Sequence, residues 1–232
     1  ATIAGFTGLV RTKVSNFDLR YELYPRGGEL FTMGVFYKYF KNPIEAFFNP
    51  GSGGSSTYNF LNADEANSFG VELEFRKKLD FKPSLKNFTV QGNLSYIYNR
   101  VNYKGGEVES RPMQGQSPYL LNLGIQYDLE KYGLNVTLLF NQIGQRIYLV
   151  GDIVGGAPDI YEAPRPVLDL QLAKKVLKKK GEFRLNISDI INKKQYFYQN
   201  TNDKLSFQKN TDAFRFTRTY GTTFSITFNY SL

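Results

Sequence analysis

A transmembrane β-barrel, all-β and antiparallel, is the fold this sequence predicts, and three observations lead to it. Apolar and polar residues alternate with period two through nine separate segments of the 232-residue chain, as in strands with two chemically different faces. The segments reach about ten residues, the length of a tilted membrane crossing, against roughly five or six in a soluble sheet. The connections between them alternate between short and long, as turns and loops do at the two ends of an outer-membrane barrel.

Taken in order, the first segment sets Phe17, Leu19, Tyr21 and Leu23 against Asn16, Asp18, Arg20 and Glu22. The second sets Phe31, Met33, Val35, Tyr37 and Tyr39 against Thr32, Gly34, Phe36 and Lys38. The third opposes Phe69, Val71, Leu73 and Phe75 to Gly70, Glu72, Glu74 and Arg76, and the fourth opposes Phe88, Val90, Leu94, Tyr96 and Tyr98 to Thr89, Gln91, Asn93 and Ser95. The fifth carries Tyr119, Leu121, Leu123, Ile125 and Tyr127; the sixth Leu134, Val136, Leu138 and Phe140; the seventh Leu168, Leu170 and Leu172. Phe183, Leu185 and Ile187 form the eighth, and Phe224, Ile226, Phe228, Tyr230 and Leu232 close the chain. Short links fall at 25–28, 80–87, 130–133 and around the lysine-rich 174–182; longer ones, rich in Gly, Pro, Asn and Asp, fall around 42–57, 102–117, 150–165 and 199–213.

Alternation alone does not say which face is inside. A soluble sandwich buries its apolar face, whereas a membrane barrel turns it to lipid and keeps a polar interior. Tyrosines near strand ends (Tyr21, Tyr24, Tyr37, Tyr39, Tyr96, Tyr98, Tyr119, Tyr127) suit the headgroup boundary and favour the membrane arrangement. If the short turns face the periplasm, the ninth strand also ends there. An odd count does not fit the even closure of bacterial barrels, so further strands are expected before residue 1, and the chain reads as the C-terminal part of a larger barrel.

Composition narrows the chemistry. Mean hydropathy is −0.38, and no run approaches the ~18 apolar residues of a helical span. The chain has no Cys and no His, which removes thiol nucleophiles, His-based triads and common zinc sites; no enzyme and no cofactor is expected. The formal charge of +8 is dispersed, without a recognition motif or basic helix, so nucleic acid is not expected as a partner. Its one dense run, Lys174 to Lys180, is expected to meet phospholipid phosphates of the inner leaflet, with partner binding as the alternative. The opening residues lack an initiator Met and do not read as a signal peptide; either one was removed or the chain is internal to a longer one.

Several strings resemble TonB-dependent receptors. Residues 16–45 (NFDLRYELYPRGGELFTMGVFYKYFKNPIE) are similar to a hairpin of that family, 62–79 to its next descending strand, 111–127 and 186–199 to later strands, and 220–232 (YGTTFSITFNYSL) to its closing strand. The resemblance covers residues 14–232 in the family's order. It implies a barrel of roughly 22 strands around an N-terminal plug, neither the plug nor the TonB-contacting segment lying in this sequence. It implies import of a scarce solute across the outer membrane, with the C-terminus toward the periplasm; outer-membrane lipids, the plug, TonB and a surface lipoprotein or larger outer-membrane complex are the implied partners. The alternatives are a structural or docking barrel without transport, and a stand-alone barrel enzyme or soluble lipid-binding barrel. The chain ends in Leu232 where many outer-membrane proteins end in Phe, a departure from the usual assembly signal.

Candidate residues fall at two levels. On the polar face, Asp18, Arg20 and Glu22 are placed to pair with Glu72, Glu74 and Arg76, in a salt-bridged lumen or through the plug. At the extracellular rim, Arg146, Tyr148, Tyr196, Phe197 and Tyr198 are candidates for ligand contact, with an aromatic membrane belt as the alternative. Asp152, Asp159 and Glu162 share one long loop; oxygen ligands suit Ca²⁺, but their spacing matches no loop motif, and no metal site is expected.

Overall fold

The computed structural model describes residues 2–3, 8–50, 56–103, 110–151, 158–201 and 204–231. Its largest element is one antiparallel sheet of nine strands. In chain order the sixteen strands are β1 (Thr2–Ile3), β2 (Lys13–Leu23), β3 (Leu30–Lys41), β4 (Ile44–Pro50), β5 (Ser56–Asn62), β6 (Glu65–Lys78), β7 (Phe88–Asn102), β8 (Tyr119–Leu129), β9 (Leu134–Ile143), β10 (Arg146–Leu149), β11 (Ile160–Glu162), β12 (Arg165–Val176), β13 (Gly181–Ser188), β14 (Gln195–Gln199), β15 (Ala213–Arg218) and β16 (Thr223–Tyr230). The nine-stranded sheet runs β16-β13-β12-β9-β8-β7-β6-β3-β2. Each of the nine alternating segments read from the sequence forms one of its strands.

Register carries the two-faced pattern across the whole sheet. Phe17 lies opposite Tyr37, Tyr37 opposite Phe69, and Phe69 opposite Tyr98. At the other side, Leu138 faces Leu170, Leu170 faces Ile187, and Leu185 faces Ile226. A one-residue slip of any strand would turn its polar row onto this face, so the pattern fixes the register. On β7 the apolar stripe from Phe88 to Tyr98 covers ten steps of about 3.3 Å; at a tilt near 40° it stands roughly 25 Å tall, the height of the apolar band of an outer-membrane barrel.

The wall has almost no buried core. Side chains of its apolar face remain open, Leu19 at 74% and Ile226 at 77% exposure, while among the described residues the largest fully buried side chains are Tyr198, Phe197, Ile147, Val101 and Val150. All of these lie at the end of the sheet with long connections. A soluble sheet shows the reverse, because its apolar face is what it buries. Here hydrocarbon takes the place of a core.

The two ends differ. Short turns join β2 to β3, β6 to β7, β8 to β9 and β12 to β13. The first is locked by Glu29, whose buried carboxylate accepts from Arg26 at 2.7 Å and Lys77 at 2.9 Å; these cations hold its carboxyl down at about 2. At the opposite end the loops are themselves β structure. The four wall strands β9, β12, β13 and β16 continue into a second sheet, β10-β11-β14-β15, in the same order. Bends at Gly144, Pro164, Asp189 to Asn192 and Gly221 separate each pair; Asp189 (φ 56°), Asn192 (φ 45°) and Gly221 (φ 83°) adopt the left-handed backbone that such a break needs. Likewise β4 and β5 pair as a hairpin continuing β3 and β6, with β1 added in parallel to β5.

Among the described residues, β2 and β16 have a strand partner on one side only, so the nine strands make a partial barrel wall. Leu138 and Leu139 test the assignment of its faces. They are adjacent, of one residue type and nearly equally exposed, 37% and 40%, but Leu138 lies on the apolar face and Leu139 opposite Asp169 on the polar one. Leu138→Arg is expected to destabilise the barrel in lipid vesicles by about 2–4 kcal/mol and Leu139→Arg by less than about 1 kcal/mol, read from reversible urea unfolding. Equal costs would contradict the assignment.

Candidate functional site

On the polar face of the wall, glycine makes room for a charged cluster. Arg20, Gly34 and Glu72 occupy one row across β2, β3 and β6. With no side chain at Gly34, Arg20 reaches over β3: it pairs with Glu22 at 2.7 Å and approaches Glu74 at 3.6 Å. Arg76 donates to Gln91 at 2.9 Å, and Asp18 sits opposite Phe36. These groups are substantially exposed, so their pairing contributes little to stability. From β8 onward the same face changes character. Amides dominate its middle, Asn141 donating to Asn122, Gln171 to Asn186 at 2.8 Å and Asn186 to Ser225 at 3.2 Å, with charges such as the Arg184–Glu182 pair at 2.7 Å among them.

The second sheet holds the more developed site. Arg146, Glu162, Phe197 and Phe216 occupy one row across its four strands. Arg146 Nε donates to Glu162 Oε2 at 2.8 Å. Phe197 and Phe216 stack with centroids 4.3 Å apart, and Tyr148 meets Phe197 edge-on at 4.6 Å. Arg218 lies over all three rings, at 5.2, 5.0 and 5.6 Å from Tyr148, Phe197 and Phe216, and donates to the Tyr148 hydroxyl at 2.7 Å. The rings hold the guanidinium in place by cation–π attraction. Among the described residues it has no carboxylate partner, unlike Arg146, which shares the same pocket.

That pocket, about 510 Å³, lies between the second sheet and the β4–β5 hairpin. Ile44, Glu45, Phe60, Arg146, Tyr148, Glu162, Arg218 and Tyr220 are among its lining residues. An adjoining cavity of about 240 Å³ shares Glu162 and Tyr220 with it and also includes Asn141, Arg165 and Val167 of the polar wall face. The site is thus continuous with the interior of the partial barrel. Its floor contains a buried ion pair: Arg111 Nη1 stands 3.1 Å from Glu45 Oε2, and Arg111 also donates to the Tyr103 hydroxyl at 3.3 Å. Burial pushes the Glu45 carboxyl above its ordinary value, with Arg111 opposing it.

The sequence-derived rim residues divide. Arg146 and Tyr148 line the pocket. Phe197 and Tyr198 are fully buried, at 1% and 0% exposure; Phe197 supports Arg218 from beneath with Tyr148 and Phe216, and Tyr198 packs on the opposite side of the sheet. Tyr196 points to the other side of the sheet, stacked on Phe207 at 5.2 Å, with Tyr198 also against Phe207 at 5.1 Å. All five lie in the second sheet, on β10 and β14, and not in the nine-stranded wall. Glu162 is engaged by Arg146, Asp159 accepts from the Gly151 amide at 2.7 Å, and Asp152 lies outside the described residues. Arg218, Tyr220, Glu45 and Arg111 were not singled out in the sequence. The available signal for Arg218 was the short alternation AFRFTR at 213–218, whose aromatic face is the one it caps.

The family model described as the outer membrane protein beta-barrel family matches residues 8–230. No curated protein matches the chain. Among solved structures, the copper transporter OprC aligns with TM-score 0.67 at 14% identity, over 98% of this chain and 33% of its own. The ferric yersiniabactin uptake receptor FyuA of Yersinia pestis aligns with TM-score 0.62 at 15% identity, over 94% of this chain and 29% of its own. The FrpB iron transporter of Neisseria meningitidis gives 0.60 at 15%, over 99% and 32%. The chain spans about a third of the length of these solved chains, and at such identity the likeness is one of fold.

Two outcomes test this description of the site. Phe197→Ala is expected to cost about 3–5 kcal/mol locally, seen as rapid amide exchange across 195–218 while the nine wall strands stay protected; uniform loss of protection would contradict an independently packed second sheet. Glu45 gives a pH dependence. Because its folded value is raised, its contribution is full below the unfolded carboxyl value of about 4.3 and is lost as pH rises through the folded value. Amide exchange in β4 and β5 is expected to quicken as pH rises through that range, after correction for intrinsic rates, and Glu45→Gln is expected to abolish the change.

Proposed function

The chain belongs to the outer membrane protein beta-barrel family, and on that premise we propose that it is the C-terminal wall of an outer-membrane importer. In this reading the missing strands and an N-terminal plug precede residue 1, the short turns and the C-terminus face the periplasm, and the second sheet projects outside the cell. The pocket captures a scarce solute, and TonB acting on the plug releases it into the lumen through the adjoining cavity. In this reading the protein acts as a binder and conduit.

One observation carries the proposal: the pocket opens toward the polar wall face and holds an arginine fixed by aromatic rings yet unpaired with any described carboxylate. Such a group is preorganised to receive an anionic or strongly polar part of a ligand without first breaking an ion pair. The solved neighbours are receptors and transporters for copper and iron compounds by their names, which is compatible with capture at this end.

Uptake by cells expressing the full-length protein provides the test. Arg218→Ala is expected to weaken ligand capture by about 1.5–3 kcal/mol, the range for a hydrogen bond to a charged group, or roughly tenfold to over a hundredfold. Loss of TonB is expected to stop uptake while leaving surface binding intact. Uptake that persists without TonB, or a full-length chain with no plug, contradicts import and leaves a docking or structural barrel.

A further inference from the structure

The lysine run at 174–180 is divided by the fold. Lys175 and Lys179 line a polar cavity of about 460 Å³ together with Asp128, Glu130 and Glu182. Lys174 belongs to the other face. It stands opposite Leu134 on β9 and Phe183 on β13, in the lipid-facing row, and Phe183 stacks on Phe228 at 4.6 Å. A charge at this position is costly unless it reaches the headgroup level or meets a counter-charge.

Lys174 Nζ donates to the backbone carbonyl of Tyr132 at 2.5 Å. Lys131 Nζ lies 5.6 Å from the centroid of the Tyr132 ring. Two ammonium groups, one from the β8–β9 turn and one from β12, therefore converge on one tyrosine, and the Lys175 amide ties the same turn to β12 through the Gly133 carbonyl at 2.8 Å. Among the described residues neither ammonium has a carboxylate partner. By contrast Lys77, the other lysine at this end of the lipid-facing rows, is neutralised by Glu29. Tyr132 of the β8–β9 turn and Leu177 of the β12–β13 turn are each 59% exposed, leaving apolar surface in both turns.

We propose that Lys131, Lys174 and Tyr132 form a binding site for the phosphodiester of an anionic phospholipid in the leaflet at the short-turn end of the wall. The two ammonium groups would bracket the phosphate, the Tyr132 ring would sit at headgroup depth, as aromatic girdles do, and the acyl chains would run along Leu134 and Phe183. Charge complementarity selects the occupant. A zwitterionic lipid brings its own cation to the site, and a soluble anion has no use for the apolar row beneath.

Native mass spectrometry of the full-length protein released from nanodiscs of phosphatidylglycerol and phosphatidylcholine tests this. Phosphatidylglycerol is expected to be retained in excess over its share of the bilayer. Lys131→Gln with Lys174→Gln is expected to reduce that excess about fivefold per lysine, the factor given by ~1 kcal/mol per basic residue near a membrane surface. Lys131→Arg with Lys174→Arg is expected to keep it. Lys175→Gln with Lys179→Gln, on the lumen side, is the control and is expected to leave it unchanged. Gel mobility of the unheated barrel checks that each variant is folded. Equal retention by wild type and the Lys131/Lys174 variant would overturn the site, as would an equal drop in the control. Full displacement of the lipid by glycerol phosphate would overturn the lipid assignment in favour of a simple anion site.

Discussion

The constraint on which this structure depends is that hydrocarbon offers no hydrogen-bond partner to a peptide group. Every backbone N–H and C=O within a bilayer must be paired inside the protein, which leaves the antiparallel sheet little freedom. The nine strands pair in sequence order in a sheet from β2 to β16, and their side chains then separate by parity, apolar outward and polar inward. The same constraint acts on the edges. The free groups of β2 and β16 need strands to receive them, so a wall of this kind is stable in a membrane only as part of a closed circuit.

Outside the hydrocarbon the constraint lifts and a second kind of stability takes over. The wall strands bend at glycine, proline and left-handed Asp or Asn positions and re-pair as a smaller sheet in water. There the large aromatic side chains are buried against one another, as in any soluble domain. Among the described residues Tyr198 and Phe197 are the largest fully buried side chains, although the neighbouring wall exposes aromatics freely. One polypeptide thus contains a sheet stabilised by lipid on one face and a sheet stabilised by its own core. The pocket lies where the second is built upon the first.

This division explains what was legible in the sequence. Period-two alternation is sustained for about ten residues in each wall strand, and a one-residue error would reverse both faces; all nine strands and their faces could therefore be read, as could the alternation of short and long connections. The family match over residues 8–230 agrees with the resemblance carried by strings such as YGTTFSITFNYSL. The second sheet escaped because its strands are three to six residues long and carry aromatics on both sides. In QYFYQ, Phe197 and its tyrosine neighbours look alike as letters, yet Phe197 supports Arg218 while Tyr196 stacks on Phe207 from the other side. Pairings such as Arg146 with Glu162, or Glu45 with Arg111 across 66 positions, depend on loop geometry that no local pattern records.

The central claim is that parity alone decides which side chains meet lipid. These 232 residues contain no cysteine, so single cysteines placed from 223 to 230, in a full-length protein with any cysteine elsewhere replaced by serine, can each carry a small fluorophore, and brominated lipids can quench it. Quenching is expected to alternate, strong at 224, 226, 228 and 230 and weak at 223, 225, 227 and 229. Uniform quenching along β16, or strong quenching at the Thr, Ser and Asn positions, would contradict the account.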